Sequence, residues 1–139
     1  MLDKIKGKGS CLCGAITISI KNIDRKVGVC HCSRCRKWGG GPLMAINCDS
    51  EVFFEGEENI SVYDSSDWGE RGFCKKCGTH LFFRLKENQH YTIPVGLFEN
   101  QESFVLDNQV FIDRKPSFYS FANQTTNITE AEFKTMYSS

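Results

Sequence analysis

Eight cysteines are spread through the 139 residues as a pair, a triplet, a single residue and a second pair. They are Cys11 and Cys13 in "CLC", Cys30, Cys32 and Cys35 in "CHCSRC", Cys48 in "LMAINCD", and Cys74 and Cys77 in "CKKCG". A disulfide does not explain the triplet, because Cys30 and Cys32 are separated by one residue and their Cβ geometry can hardly satisfy an unstrained S–S bond. A metal does. Tetrahedral zinc with Zn–S bonds of about 2.3 Å needs its sulfurs roughly 4 Å apart. Alternate residues of an extended segment share a face, and a C-x-x-C-G turn brings its two thiols together, so both spacings meet that need. The triplet is already local. The simplest partition gives it one ion and leaves Cys11, Cys13, Cys74 and Cys77 to hold another, which makes two zinc ions per chain.

The two expected sites differ in chemistry. Four thiolates close a tetrahedron, and closed sites are structural, their metal contributing folding free energy outright. Gly14 and Gly78, each just after a pair, suit the backbone of a zinc knuckle. Three thiolates leave one corner open, as catalytic zinc is usually held. Such an ion carries net negative charge and is a weak Lewis acid, so a thiol, whose soft sulfur it prefers, is the expected ligand. Arg34, Arg36 and Lys37, interleaved with and following the ligands, can offset that charge and hold an anionic substrate. Trp38, Gly39 and Gly40 are counted with them as candidate binding residues. The run "GGGP" is first a turn, and Gly39, Gly40 and Gly41 would also let a peptide-like substrate approach the backbone closely.

Cys48 could close the triplet's shell and make a second structural centre. Its place in a strand-like run, facing inward with Met44 and Ile46, makes it a core cysteine instead. His31 lies between two presumed ligands and on an extended chain points away from their metal. His80, at the start of a strand, and His90, within another, are expected to be hydrogen-bonded or surface residues.

The elements that must carry these residues are mostly short strands. In "AITISI", Ile16, Ile18 and Ile20 share one face and Thr17 and Ser19 the other, the pattern of a strand with one side buried. Comparable runs are "LMAINC", "EVFFEG", "ISVYD", "THLFFRL", "HYTIPVGLF" and "QVFID", separated by turn residues. Seven or eight short strands imply sheets packed on each other. A short helical turn is expected after Cys32. One fuller helix is signalled at about 129–137, where Thr129 and Glu132 form a capping box and Ile128 and Phe133 stand at the staple positions; it would dock Phe133 and Met136 on the sheet.

Length and composition suit one domain over residues 1–139 with its core at about 9–122, and 40% apolar residues is a globular share. Seventeen basic residues balance seventeen acidic ones, which argues against a protein that coats nucleic acid or an anionic membrane. No run approaches the roughly twenty apolar residues of a membrane span, and "MLDKIKGKGSC" lacks the apolar core of a secretion signal. A cytoplasmic location is the expectation, and clustered thiols in a reducing compartment are metal ligands more often than bridges. Oligomeric state is not legible.

The segments "GSCLCGAITISI", "CHCSRCRKWGGG" and "RGFCKKCGTHLFFR", in that order, resemble the glutathione-dependent formaldehyde-activating enzyme family, which is similar in fold to Mss4-like β-tent zinc proteins. The resemblance runs from Gly9 to Phe83 and continues more weakly through "GLFEN" and "VFIDRKPSFYSF". It implies a mainly β, Mss4-like tent of packed antiparallel sheets with zinc knuckles and a short C-terminal helix. It implies a structural zinc on Cys11, Cys13, Cys74 and Cys77, and a catalytic zinc on Cys30, Cys32 and Cys35 at which glutathione acts. The implied activity is that of a carbon–sulfur lyase or synthase, forming S-hydroxymethylglutathione from glutathione and formaldehyde or reversing that step. One departure is visible: where the family often has tryptophan after the late lysine, this chain has Phe118 and Tyr119. The alternative reading is a non-enzymatic zinc module of the same fold that binds a protein partner.

Overall fold

A computed structural model describes residues 5–137. In chain order its elements are β1 (Ile5–Ser10), β2 (Thr17–Ile23), β3 (Lys26–Cys30), α1 (Ser33–Gly39), β4 (Leu43–Cys48), β5 (Phe53–Glu55) and β6 (Ile60–Tyr63). Then follow β7 (Gly69–Cys74), β8 (His80–Leu85), β9 (Tyr91–Pro94), β10 (Val105–Val110), β11 (Thr126–Ile128) and α2 (Glu130–Tyr137). The fold is mainly β, as expected, with more and shorter strands than the sequence periodicity reveals. None of the described helices is long and apolar enough to cross a membrane.

By their internal contacts the described residues form two compact units, one of residues 5–25 and 45–104 and one of residues 26–44 and 105–137. The first contains two antiparallel sheets. One has the order β1-β2-β5, and the other runs β4-β9-β8-β7-β6. Ile16, Ile18, Ile20 and Ile23 are buried along β2 and its approach, and meet a core with Ile46, Leu81, Phe82, Ile93 and Phe98. Phe54 of β5 and Phe82 of β8 bring the two layers together at 5.7 Å between ring centres, and Tyr91 stands edge-on to Phe82 at 5.0 Å. Fully burying side chains of this size contributes about 1.5–3 kcal/mol each.

The second unit is a parallel ribbon in the order β3-β10-β11, with α1 following β3 and α2 following β11. Val27 and Val29 are its buried face. The capping box of α2 is made as expected: Glu132 accepts from the Thr129 amide at 2.9 Å, and the Thr129 hydroxyl accepts from the Glu132 amide at 3.2 Å. Phe133 packs on Phe111, just beyond β10, with ring centres 5.0 Å apart.

Several expectations are corrected. Met136 is 61% exposed and docks nothing, since it falls on the solvent side of α2. Met44 is also exposed, at the β4 end nearest the glycine turn, while Ile46 and Cys48 face inward. "QVFID" stops being a strand at Val110, because Phe111 adopts a left-handed φ of 55° and starts a 3₁₀ turn. "HYTIPVGLF" ends as a strand at Pro94, before a 3₁₀ turn over Val95–Leu97. His90 precedes β9 and is exposed.

Candidate metal centres

The first cluster is built by two turns of the first unit. After Cys11, the Gly14 amide donates to the Cys11 carbonyl at 3.1 Å; after Cys74, the Gly78 amide donates to the Cys74 carbonyl at 2.8 Å. Both turns need a left-handed residue, and Gly14 and Gly78 supply it with φ of 81° and 78°. Thr79 ties the turns together, accepting from the Leu12 amide at 3.1 Å and lying 3.1 Å from the Cys77 sulfur. Cys11 Sγ is 3.6 Å from Cys13 Sγ, which is 3.8 Å from Cys74 Sγ. Those are the separations of tetrahedral zinc with Zn–S bonds of about 2.3 Å. Cys77 completes a set whose sulfurs all lie within 4.8 Å of one another. Thr79, first through its hydroxyl and then its amide, holds the Cys77 thiol down at about 5, so a deprotonated, metal-ready sulfur is favoured there.

The second cluster belongs to the other unit. β3 ends at Cys30, the chain turns at the buried His31, and Cys32 becomes the N-cap of α1, its sulfur accepting from the Cys35 amide at 3.4 Å. One turn into α1, Cys35 is buried, and the three sulfurs lie within 4.8 Å of one another. The Cys30 and Cys35 thiols, donating toward Cys32, hold it down at about 2. Cys32 and then Cys35 push Cys30 far up from its ordinary value. Three close thiols release a first proton readily and resist releasing the last, which is the behaviour of a site that a cation completes. The soft donor set fits zinc.

Cys48 belongs to neither cluster. It is 5% exposed at the end of β4 with its sulfur 3.9 Å from the Ile46 carbonyl, and burial, with Asp49 adding to it, pushes its thiol up to about 12.

α1 also forms one wall of a cleft of about 790 Å³. Ser33, Arg36, Lys37, Gly40, Gly41, Pro42 and Met44 line one side, and Phe118 to Phe121 the other. Gly40, left-handed at φ 86°, ends α1 and leaves the glycine turn open to the cleft. Of the expected binding residues, Arg36, Lys37 and Gly40 therefore meet in the cleft, whereas Arg34, Trp38 and Gly39 are not part of its lining. Arg36 is steadied by its Nε donating to the His31 carbonyl at 2.9 Å.

His31 is fully buried and is not a member of the cluster. Its Nδ1 is 2.8 Å from the Tyr119 hydroxyl and its Nε2 2.8 Å from Gln109 Oε1. Burial first, then the Lys115 and Arg36 charges, lower its pKa against the opposing pull of Gln109. Gln109 and the aromatic wall escape a reading by ligand spacing. The signals for the wall are the aromatic density of "SFYSF" and the departure from the family's pattern at Phe118 and Tyr119, and for Gln109 there is none.

A family model described as glutathione-dependent formaldehyde-activating enzyme matches residues 6–114. An uncharacterized lyase of Schizosaccharomyces pombe is 40% identical over 126 residues, spanning 90% of this chain and 92% of its own length. A Halomonas elongata protein bearing the family's name is 33% identical over 84 residues, 54% of each chain. The crystal structure of a Rhodobacter sphaeroides protein superposes with a TM-score of 0.57 at 27% identity, covering 67% of this chain and 88% of that one.

Proposed function

The chain belongs to the glutathione-dependent formaldehyde-activating enzyme family, and from that premise we propose that it makes or cleaves the carbon–sulfur bond between glutathione and formaldehyde. The observation that carries this reading is the sharing of α1 by a three-thiol cluster and a cationic cleft. Cys35 serves the cluster, and the next two residues, Arg36 and Lys37, serve the cleft. Cys30, Cys32 and Cys35 would hold a zinc ion, and Cys11, Cys13, Cys74 and Cys77 a second that only stabilises. The ion on the triplet would supply a fourth coordination position at which a thiol loses its proton and is kept as a nucleophile or leaving group.

The chain's own residues then have distinct tasks. Arg36 and Lys37 face the carboxylates of the tripeptide, and Arg36 does so from a fixed stem because His31 anchors its Nε. Phe118, Tyr119 and Phe121 cover the apolar parts of the substrate and exclude water from the reacting carbon. Gly40 and Gly41 add no side chain to the opposite wall, so peptide backbone can lie against it. Holding thiol and aldehyde together converts a bimolecular addition into an effectively unimolecular one.

Because the addition also proceeds unaided, the test is the exchange rate rather than the yield. NMR exchange spectroscopy on equilibrated glutathione and formaldehyde should show exchange through S-hydroxymethylglutathione speeded at least tenfold by the zinc-loaded protein. Cys35→Ser should return it to background. An exchange rate unchanged by the wild-type protein would exclude the reaction and favour a zinc module without catalysis.

A further inference from the structure

Charge that balances over the whole chain is not evenly spread along it. Residues 49–70 hold eight carboxylates and no lysine or arginine, so all seventeen basic residues lie elsewhere. All of these carboxylates but Glu70 are exposed. Interleaved with them stand Phe53, Val62, Tyr63 and Trp68, large apolar side chains that are 44% to 66% exposed.

This stretch carries β6, which ends its sheet. Its outward backbone groups follow from the register. The Lys75 amide donates to the Asn59 carbonyl at 2.8 Å, so Asn59 turns toward β7. In an antiparallel pair the bonding direction alternates; Ile60 stands opposite Cys74 and Val62 opposite Gly72, and these two residues of β6 turn away from β7. The Cys74 amide agrees, donating to the Thr79 carbonyl and not to β6. The Ile60 amide closes the preceding 3₁₀ turn on the Glu57 carbonyl. The Ile60 carbonyl and both backbone groups of Val62 therefore face outward, ready for a further strand.

Sheet edges are usually blunted by charge, proline or a bulge within the strand. "ISVY" has neither charge nor proline, and its register with β7 is regular. The carboxylates flank the strand instead, with Glu57 and Glu58 before it and Asp64 and Asp67 after it. Lys86 pairs with Asp64. Arg71, Lys75, Arg84 and Lys86 stand on β7 and β8 or at their ends, a strand or more in from the open edge. Antiparallel pairing of two copies through β6 would set Glu57 and Glu58 of each beside Asp64 and Asp67 of the other, and like charges there repel. A chain with lysines or arginines meets opposite charge at both ends of β6, while its apolar residues meet Val62 and Tyr63.

We propose that the β6 edge docks a basic, extended segment of another protein, which joins the sheet as one more strand. None of its residues lines the cleft beside α1.

The test uses the zinc-loaded, isotope-labelled full chain and a short, end-blocked peptide of alternating lysine and valine. One control peptide has proline for valine, keeping the charge but losing the ladder donors. The other has glutamate for lysine. The lysine–valine peptide should bind at least about tenfold tighter than either control. It should also slow hydrogen exchange of the Val62 amide about tenfold and leave that of Ser61, which already faces β7, unchanged. Val62→Pro removes an amide that the ladder with β7 does not use, and should weaken the peptide about tenfold at an unchanged melting temperature. Glu57→Lys with Glu58→Lys, on the exposed turn, should weaken it about fivefold and decides the matter if the proline variant does not fold. Equal binding of the proline peptide would reduce the surface to a counterion effect, and equal binding of the glutamate peptide would remove the charge recognition. A dimer of the free protein, seen by light scattering and dissociated by Val62→Pro, would give the edge to a second copy. Each of these overturns the proposal, as does an absence of binding or binding that survives the substitutions.

Discussion

Cys48 differs from the other seven thiols in having no sulfur neighbour among the described clusters, only a carbonyl and the β4 core around it. Its folded-state pKa of about 12 stands above the ordinary 9.0. The unfolded chain therefore gives up this proton first, so the stabilisation is fully present below pH 9 and is lost as pH rises toward 12. Cys48→Ala should cost about 1 kcal/mol at pH 7, as a small buried truncation does, and leave the zinc content unchanged. The stability gap to the wild type should narrow across that alkaline window, which denaturant titration at several pH values can follow. Loss of one zinc equivalent would make Cys48 a ligand. At this scale the sequence reveals the thiols well, because ligand spacing is a local signal. It reveals His31 only as a non-ligand, since its partners Gln109 and Tyr119 are 78 and 88 residues away and no periodicity ties them to it.

Among the elements, those with strong local chemistry are the legible ones. The capping box of α2, the turn of helix after Cys32 and the isoleucine face of β2 all follow from neighbours within a few residues. The strands β1 and β7 escape detection because glycines replace their apolar positions. In β7 a side chain at Gly72 would start 2.3 Å from the Phe82 ring, so the neighbouring strand fills the space and the apolar signal moves there. The knuckles are elements too. The Cys11–Gly14 turn leads into β2 and the Cys74–Gly78 turn joins β7 to β8, so their cluster clasps the start of one sheet to a hairpin of the other. Cys74→Ser should therefore leave the protein largely insoluble or with the larger fall in melting temperature, because it removes a buried thiol from the cluster that would hold the clasp's metal. Cys35→Ser, in a locally built site, should be milder. Soluble yield and thermal melting check the ranking, and the opposite order would reverse the structural and catalytic assignments.

Taken whole, the molecule assigns one cysteine cluster to each compact unit: four sulfurs in the first, three with a cationic cleft in the second. Of the three cations on α1, Arg36 and Lys37 are the ones that line the cleft. The cluster partition was legible from spacing alone, but the cleft was not, because its walls come from segments some eighty residues apart that only the parallel ribbon of β3 and β10 brings together. The central claim is that the triplet keeps a coordination position for a substrate sulfur. Zinc-edge X-ray absorption tests it most directly. The zinc-loaded protein should give a mean of about 3.5 sulfurs per zinc, averaging four and three, and glutathione should raise this toward about four while S-methylglutathione does so poorly. A count already at four in the free protein, or one indifferent to glutathione, would contradict the account and make "CHCSRC" part of a second closed clasp.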